Sequence, residues 1–173
     1  ASDGSALYVA DETTESLARI DLTTGQVIAM TPIGDGFLDL AVDGANNTAY
    51  VAQAAPPRIL FLNATTLAEI GSANAPNGVK MAIHLDGPGS RLLILDSAAE
   101  SQGGRAQRHR SASNLITSSV PFDMPGSGDA RALQLVLDSD NQRFFIRGSN
   151  GLGIYDLDGT ATATSIFIGQ GLH

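Results

Sequence analysis

The stretch "LYVADETTESLARIDLTTGQVIAM", residues 7–30, consists of two runs of alternating side chains, each followed by a polar turn. An apolar side chain at every second position predicts a strand that buries one face. The pattern recurs along the chain, because "ALYVAD", "TAYVAQ", "RLLILD" and "RFFIRG" align and place Val9, Val51, Ile94 and Ile146 in one register. The chain is therefore predicted to repeat one small unit of strands.

A second set of strands precedes the last three copies of this register. The segments are "FLDLAVDG" (37–44), "MAIHLDG" (81–87) and "LQLVLDSD" (133–140). Their apolar residues recur with a period of two, which predicts strands over residues 37–42, 79–85 and 132–137. We expect three aligned residues of these strands, Leu40, Ile83 and Leu135, to point into the packing between neighbouring units.

A third set, "LARIDLTTG", "ILFLNATT" and "LGIYDLDGT", runs from a strand into a polar turn. Asp21, Asn63 and Asp156 suit the start of these turns, because their side chains can accept bonds from the backbone two residues on. Four short antiparallel strands in about 42 residues are typical of a β-propeller blade. The predicted fold is all-β, with about four blades in a single domain or part of a larger propeller. The blades span about residues 6–36, 37–78, 79–131 and 132–173.

The first blade resembles a repeat of the YVTN family of β-propellers. The resemblance is carried by Tyr8-Val9-Ala10-Asp11, Ile20-Asp21, Thr23-Thr24-Gly25 and Ile33-Gly34, and again by Tyr50-Val51-Ala52-Gln53. It is good over residues 6–70, loose over 79–98 and 132–169, and absent from 99–131. The family includes surface proteins, binding modules and some enzymes, so the resemblance implies a fold rather than one activity.

Composition excludes several classes of function. The chain has 173 residues, of which 43% are hydrophobic and 16% charged, as in globular proteins. Its net charge of −8 disfavours nucleic acid and anionic membrane surfaces as partners. The absence of cysteine excludes disulfides, thiolate metal sites and a cysteine nucleophile. No apolar run approaches the roughly 18 residues that predict a membrane span.

The first residues, "ASDGS", contain no methionine. We therefore expect that an upstream segment was removed, either a signal peptide or the rest of a longer protein, and that the protein is extracellular or periplasmic. Asn46 and Asn63 match the N-x-S/T pattern of glycosylation sites, which carries little weight in a sequence of unknown source.

A basic cluster lies in the segment that breaks the repeat. The cluster comprises Arg105, Arg108, His109 and Arg110. Arginine binds carboxylates and phosphates with two parallel hydrogen bonds, so the cluster is a candidate site for such a ligand or for an acidic partner. The alternative is a solvated loop without a ligand. The Gly/Ser/Gln/Arg composition predicts that residues 99–113 are mobile and are cut by trypsin within the cluster.

Four polar residues lie on the predicted innermost strands and are candidates to line a central channel. They are Asp39, Lys80, His84 and Gln134. His84 suits a metal ligand or a general base, or a histidine whose hydrogen bonds are satisfied in the core. The other three suit ligand binding, or simple solvation of a wet axis.

Two acidic turns, Asp138 to Asp140 and Asp156 to Asp158, resemble parts of calcium loops. Neither continues into a full set of oxygen ligands, so both are interpreted as β-turns and no metal is expected. The sequence contains no nucleophile elbow, phosphate loop or zinc-protease motif, and it identifies no cofactor.

These features favour a secreted or cell-envelope scaffold that binds a protein or a small ligand. A lactonase-like or lyase-like enzyme that uses the channel residues is the alternative, and an envelope module for spacing and adhesion is a third hypothesis. The first blade lacks its innermost strand, so the chain is not expected to close as a monomer. The missing strand would come from the rest of a longer chain or, alternatively, from a second copy.

Overall fold

The computed structural model describes nine stretches of the chain: 4–74, 79–84, 91–96, 105–110, 115–121, 132–138, 140–148, 152–156 and 161–166. Side chains are described for 4–74, 134–138, 140–147 and 152–156. Within these stretches the chain forms strands and tight turns, and none of it is helical. In the same residues there is therefore no helix long and apolar enough to cross a membrane.

The strands form four antiparallel sheets, each a meander in chain order. The first sheet contains β1 (Ala6–Asp11), β2 (Ser16–Asp21) and β3 (Val27–Pro32). The second contains β4 (Phe37–Asp43), β5 (Thr48–Ala54), β6 (Pro57–Asn63) and β7 (Glu69–Asn74). The third contains β8 (Val79–His84), β9 (Arg91–Asp96), β10 (Arg105–Arg110) and β11 (Leu115–Pro121). The fourth contains β12 (Ala132–Asp138), β13 (Arg143–Gly148), β14 (Leu152–Asp156) and β15 (Ala161–Ile166).

The sheets are arranged as propeller blades. β8 lies against β4 on one side and β12 on the other, so the first strands of consecutive four-stranded sheets are neighbours. The prediction of innermost strands at these positions is confirmed. The first sheet has three strands, as expected from a first repeat that lacks the innermost strand.

Cross-strand pairing corrects one detail of the sequence alignment. Leu40 pairs with Val51, and Leu135 pairs with Ile146. In the third sheet, however, Met81 rather than Ile83 pairs with the equivalent Ile94. The shift of two residues arises because the connection between β8 and β9 is longer than the corresponding β4–β5 and β12–β13 turns. A shift of two preserves the alternation of faces, which explains why the periodicity did not reveal it.

The core lies between the sheets. One buried cluster joins the first and second sheets, and Leu40 packs against it as predicted. Its buried members are Leu17, Ile33, Ala49, Val51, Leu60, Leu62, Ala64 and Leu67. A second cluster covers the other face of the second sheet and contains Ala41, Tyr50, Ala52, Ile59 and Phe61. Both faces of the second sheet are therefore apolar, as in a blade packed between two others.

Polar turns connect the strands in one recurring geometry. Asp21 Oδ1 accepts the backbone N–H of Thr23 at 2.7 Å, and Asn63 Oδ1 accepts that of Thr65 at 2.9 Å. These bonds confirm the predicted role of Asp21 and Asn63, whereas the turn after Asp156 lies outside the described residues. Five turns place a residue with positive φ four positions after the Asp or Asn. Those residues are Glu15, Gly25, Asn47, Leu67 and Gln142.

The predicted mobile loop over residues 99–113 is wrong in its central part. Arg105–Arg110 forms β10, which pairs with β9 on one side and β11 on the other. Residues 99–104 and 111–113 lie outside the described residues. Backbone pairing on both edges stabilises a strand whose polar side chains give no alternation, which is why the sequence pattern missed it.

Candidate functional site

The sheets present two ends with different connections. At the end that we call the upper end, β1, β3 and β5 finish and β2, β4 and β6 begin. The innermost strands β4, β8 and β12 all start there, since successive blades repeat the same strand order. Residues near the start of these strands therefore surround the axis of the propeller at one end.

Three of the four predicted channel residues share one level on the innermost strands. Asp39 pairs with Ala52, Lys80 with Leu95, and Gln134 with Arg147. These partners occupy equivalent places in the repeat, because they directly follow the aligned residues Val51, Ile94 and Ile146. The structure thus places Asp39, Lys80 and Gln134 at equivalent register positions on three adjacent strands.

β-Bulges mark this level in two of the three strands. The register shifts between Phe37 and Asp39 in β4 and between Ala132 and Gln134 in β12. Leu38, the extra residue in β4, packs against the second core cluster, to which Ala41 belongs. A bulge re-aims the residues beside it and often adjoins a functional site. Asp39 is half-buried, and its Oδ1 accepts the backbone N–H of Leu40 at 2.9 Å.

A buried amide and an arginine lie at the upper end of the second sheet. Gln53 is 1% exposed, and its Oε1 accepts a hydrogen bond from Arg58 Nε at 2.6 Å. Gly34 has a positive φ of 73°, and a Cβ at this position would be in contact with Gln53 Nε2 at 3.4 Å. Gly36 has a positive φ, and its carbonyl accepts the N–H of Ala54. The Arg58 guanidinium is thus oriented at the rim by a fixed partner.

Two carboxyl groups meet at the upper end of the first sheet. A hydrogen bond with Asp35, and then the negative charge of Asp35, raise the pKa of Glu15. The backbone N–H of Ile33 donates to the Glu15 carbonyl, which ties the β3–β4 connection to the β1–β2 turn. The upper end therefore carries an acidic pair on the first sheet and the cation of Arg58 on the second.

His84 does not share the level of the other channel candidates. It pairs with Arg91 in the last pair of β8, where Asp43 and Asp138 stand in the second and fourth sheets. The pairing register places Ala82, and not His84, at the position of Ala41 and Val136. His84 lies four residue steps along the strand from Lys80, a distance of about 13 Å. His84 therefore lies toward the lower end.

The basic cluster lies on the third strand of the third sheet, not on an innermost strand. Arg105 is at the upper end of β10 and Arg110 is at the lower end. Successive residues of a strand alternate between its faces, so Arg108 and His109 occupy positions on opposite faces. The four residues do not form one group on one face, and their role in binding stays a prediction.

The acidic turn at Asp138 uses its carboxylate for the backbone. Asp138 Oδ1 accepts the N–H of Asn141, and its Oδ2 accepts a hydrogen bond from Asn141 Nδ2 at 2.8 Å. The side chain and then the backbone of Asn141 lower the pKa of Asp138. Asp43 and Asn46 form the same pair of bonds. No group of three or more potential metal ligands occurs among the described residues. The turn after Asp156 lies outside them.

Sequence reasoning missed the Gln53–Arg58 and Glu15–Asp35 pairs. The alignment of "YVAD" with "YVAQ" places Gln53 where the first sheet has Asp11, so a polar residue at the end of the second strand was a visible signal. The bond between Gln53 and Arg58 depends on the tight β5–β6 turn, and the approach of Glu15 to Asp35 depends on contact between consecutive connections. Neither contact follows from periodicity.

Comparison with solved structures identifies the fold. The chain matches Kuenenia stuttgartiensis hydrazine synthase with a TM-score of 0.77 and 16% identity, over 95% of this chain and 47% of that one. It matches U3-55K with a TM-score of 0.76 and 14% identity, over 98% and 50%. It matches the RRP9 WD40 repeats with a TM-score of 0.73 and 13% identity, over 95% and 48%. At these identities the likeness establishes a β-propeller fold and no activity.

The chain spans about half the length of these structures. No protein-family model matches the sequence. No curated protein matches it either.

Proposed function

We propose that the chain is a propeller scaffold of the YVTN type that binds a polar ligand, either a protein segment or a small molecule, at its upper end. The observation that carries the proposal is the common level of Asp39, Lys80 and Gln134 on adjacent innermost strands. The YVTN assignment rests on the motifs of the first two repeats. Secretion to the cell envelope or outside the cell belongs to the same proposal, and the resemblance to a family that includes surface proteins supports it.

The chemistry of the upper end favours a ligand that carries a positive and a negative charge, or one with several hydrogen-bonding groups. Asp39 accepts hydrogen bonds, an amine donates them, and the amide of Gln134 does both. Gln134 is exposed, and Arg147, its pairing partner, is exposed as well. Polar groups placed on rigid strands lose little entropy on binding, so a few of them suffice for specificity.

The test is a binding screen followed by matched variants. A thermal-shift panel of organic acids, amines, amino acids and sugars, together with a displayed peptide library, supplies the probes. For a probe that binds, Asp39→Ala and Gln134→Ala should each weaken binding about tenfold or more, as expected for loss of a hydrogen bond to a charged or polar group. Thr23→Ala, at the lower end of the first sheet, is the control because the Thr23 backbone N–H that bonds Asp21 is retained. A probe whose affinity depends on neither residue places its site elsewhere and overturns the proposal.

A further inference from the structure

Three polar side chains form a row across the upper end of the second sheet. Gln53 pairs with Arg58, and Arg58 pairs with Asn74, so the three residues lie at one level on β5, β6 and β7. Residues directly opposite each other in an antiparallel pair lie on the same face, with Cβ atoms about 4.5–5.5 Å apart. Val51 and Leu60, two residues away on β5 and β6, belong to the core cluster between the first and second sheets. The row therefore lies on the face toward the first sheet, at the upper end of that contact.

The row is buried at one end and open at the other. Gln53 is 1% exposed, Arg58 is half-buried and Asn74 is exposed. Gln53 Oε1 accepts the hydrogen bond of Arg58 Nε at 2.6 Å, and Gly34 of the β3–β4 connection lies against the same amide. A charge-assisted bond to a buried side chain fixes the orientation of the guanidinium before a ligand binds. Less entropy is therefore lost when a ligand binds to it.

The oriented guanidinium has no acidic partner. Among the residues whose side chains the structure describes, Gln53 is the only hydrogen-bonding partner of the Arg58 side chain, and Arg58 forms no ion pair. The bond through Nε leaves the N–H donors of both Nη atoms, a planar fork that matches the two oxygens of a carboxylate. A half-buried charge without a counter-ion is costly, so a negatively charged ligand group is favoured at this position.

The neighbouring sheets have an acidic residue where the second sheet has Gln53. Asp11 in the first sheet and Asp96 in the third occupy this place, each two residues after the aligned valine or isoleucine. In the third sheet Asp96 pairs with Arg105, so the register places an acidic residue opposite an arginine. The second sheet keeps the arginine and has a neutral amide opposite it. The repeat thus leaves the guanidinium of the second sheet without a negative charge from the opposite strand.

We propose that Arg58 and Asn74 bind a carboxylate group of the ligand, and that Gln53 positions the guanidinium. The inference rests on the proposed function and deepens it, because it names the chemical class of ligand bound at the upper end. The two Nη atoms of Arg58 donate to the carboxylate oxygens, and the Asn74 amide donates to one of them.

Charge favours a carboxylate over a phosphate at this site. The net charge of −8 repels a dianion more strongly than a monoanion, and the acidic pair of Glu15 and Asp35 lies at the same end of the molecule. The carboxylate belongs either to a free organic acid or to an acidic side chain of a partner protein. Both sources share the chemistry of the site, and the experiment distinguishes them.

NMR titration of the ¹⁵N-labelled 173-residue chain tests the proposal. The probes are glutarate, inorganic phosphate and an acetylated tetraglutamate peptide, each at an ionic strength held constant with sodium chloride. Glutarate should shift the Arg58 Nε–H and Asn74 Nδ2–H signals saturably and should bind more tightly than phosphate. Peptide binding about tenfold tighter than that of glutarate would support the site with a partner protein as the source. Equal or weaker binding of the peptide would support it with a free acid as the source.

Two variants separate recognition by Arg58 from positioning by Gln53. Arg58→Lys keeps the charge and loses the planar fork, so it should weaken glutarate binding about tenfold or more. Gln53→Glu supplies a carboxylate opposite Arg58, as the third sheet does, and should weaken glutarate binding similarly while the Arg58 Nε–H signal persists. Arg143→Gln is the matched control and should leave the affinity unchanged, because Arg143 pairs with Asp156 at the lower end of the fourth sheet. The backbone amide spectrum establishes that each variant is folded.

Three results would overturn the carboxylate site. They are glutarate binding that Arg58→Lys leaves unchanged, glutarate binding to a folded Gln53→Glu variant as tight as to the wild type, and phosphate binding tighter than that of both carboxylate probes. Asp39→Ala distinguishes this inference from the proposed function. Glutarate binding that depends on Arg58 and on neither Asp39 nor Gln134 would uphold the carboxylate site and overturn the site on the innermost strands. Binding that depends on Asp39 and Gln134 but not on Arg58 would do the reverse.

Discussion

The first and second sheets carry the same repeat in different surroundings. Val9 and Val51 occupy the same register position on the second strand of their blades, yet one is 39% exposed and the other is 0% exposed. The local sequence, "YVAD" against "YVAQ", is almost the same. The difference shows that burial in this fold is determined by the neighbouring sheet.

The most direct test of this comparison is to shorten the two valines. Val51→Ala removes two buried methyl groups and leaves a cavity, so it should lower the free energy of unfolding by about 2–3 kcal/mol. Val9→Ala at low protein concentration should change it by about 0.5 kcal/mol or less, as for other surface positions. Urea denaturation measures both. Equal losses of unfolding free energy in the two variants at every protein concentration would contradict the conclusion that the neighbouring sheet determines burial.

The equivalent turns of the two sheets share one backbone geometry but have different residues at one position. Gly25 and Leu67 both follow four residues after the Asx side chain and both have positive φ, of 68° and 59°. In both turns the N–H of this residue donates to the carbonyl of the Asx residue at 2.8 Å. Leu67 is 0% exposed and packs between the sheets. The second turn therefore tolerates a strained backbone because the side chain is buried.

A pair of substitutions at Leu67 separates the stabilisation by its buried side chain from the cost of its strained backbone. Leu67→Ala should destabilise by about 2–5 kcal/mol, because it removes buried carbon atoms and keeps the left-handed backbone. Leu67→Gly should be more stable than Leu67→Ala by about 1 kcal/mol, since glycine adopts positive φ without the Cβ penalty. Gly25→Ala is the control. A Cβ there meets no atom within 4 Å, so its cost of about 1 kcal/mol is backbone strain alone. A glycine variant less stable than the alanine variant would show that Leu67 is not strained.

Periodicity predicted the apolar strands of the sheets, and turn chemistry predicted where some of these strands end. Alternation with a period of two located the strands that contain Leu40 and Val51, and the Asx positions of Asp21 and Asn63 matched observed hydrogen bonds. Both signals are local. The strand Arg105–Arg110 was missed because it is polar on both faces, and its existence depends on backbone pairing with its neighbours.

The candidate site was predictable only in part. The sequence proposed Asp39, Lys80, His84 and Gln134 as channel residues but did not show that Lys80 shares the level of Asp39 and Gln134, because a longer β8–β9 connection shifts the register of β8 by two residues. The same shift places His84 at the level of Asp43 and Asp138. The Gln53–Arg58 bond crosses a tight turn, and the meeting of Glu15 with Asp35 joins two connections. Contacts of this kind depend on tertiary geometry that a repeat pattern does not encode.

The smallest expected effect is a pH dependence that the turn after Asp21 should show and the equivalent turn after Asn63 should not. Asp21 accepts the N–H groups of Thr24 and Thr23, which lowers its pKa, whereas Asn63 in the equivalent turn does not titrate. A carboxyl group whose pKa is lower in the folded state adds stability above its unfolded pKa of about 4 and loses it as the pH falls through the folded value. Asp21→Asn should therefore flatten the loss of stability in acid while preserving the turn, as Asn63 does. Asp35→Asn is the control with the opposite sign, because the raised pKa of Glu15 reduces stability as the pH rises. Thermal unfolding followed from about pH 2 to pH 7 measures both slopes. An unchanged acid slope in Asp21→Asn would mean that the turn binds the carboxylic acid as well as the carboxylate, and that the two turns do not differ in this respect.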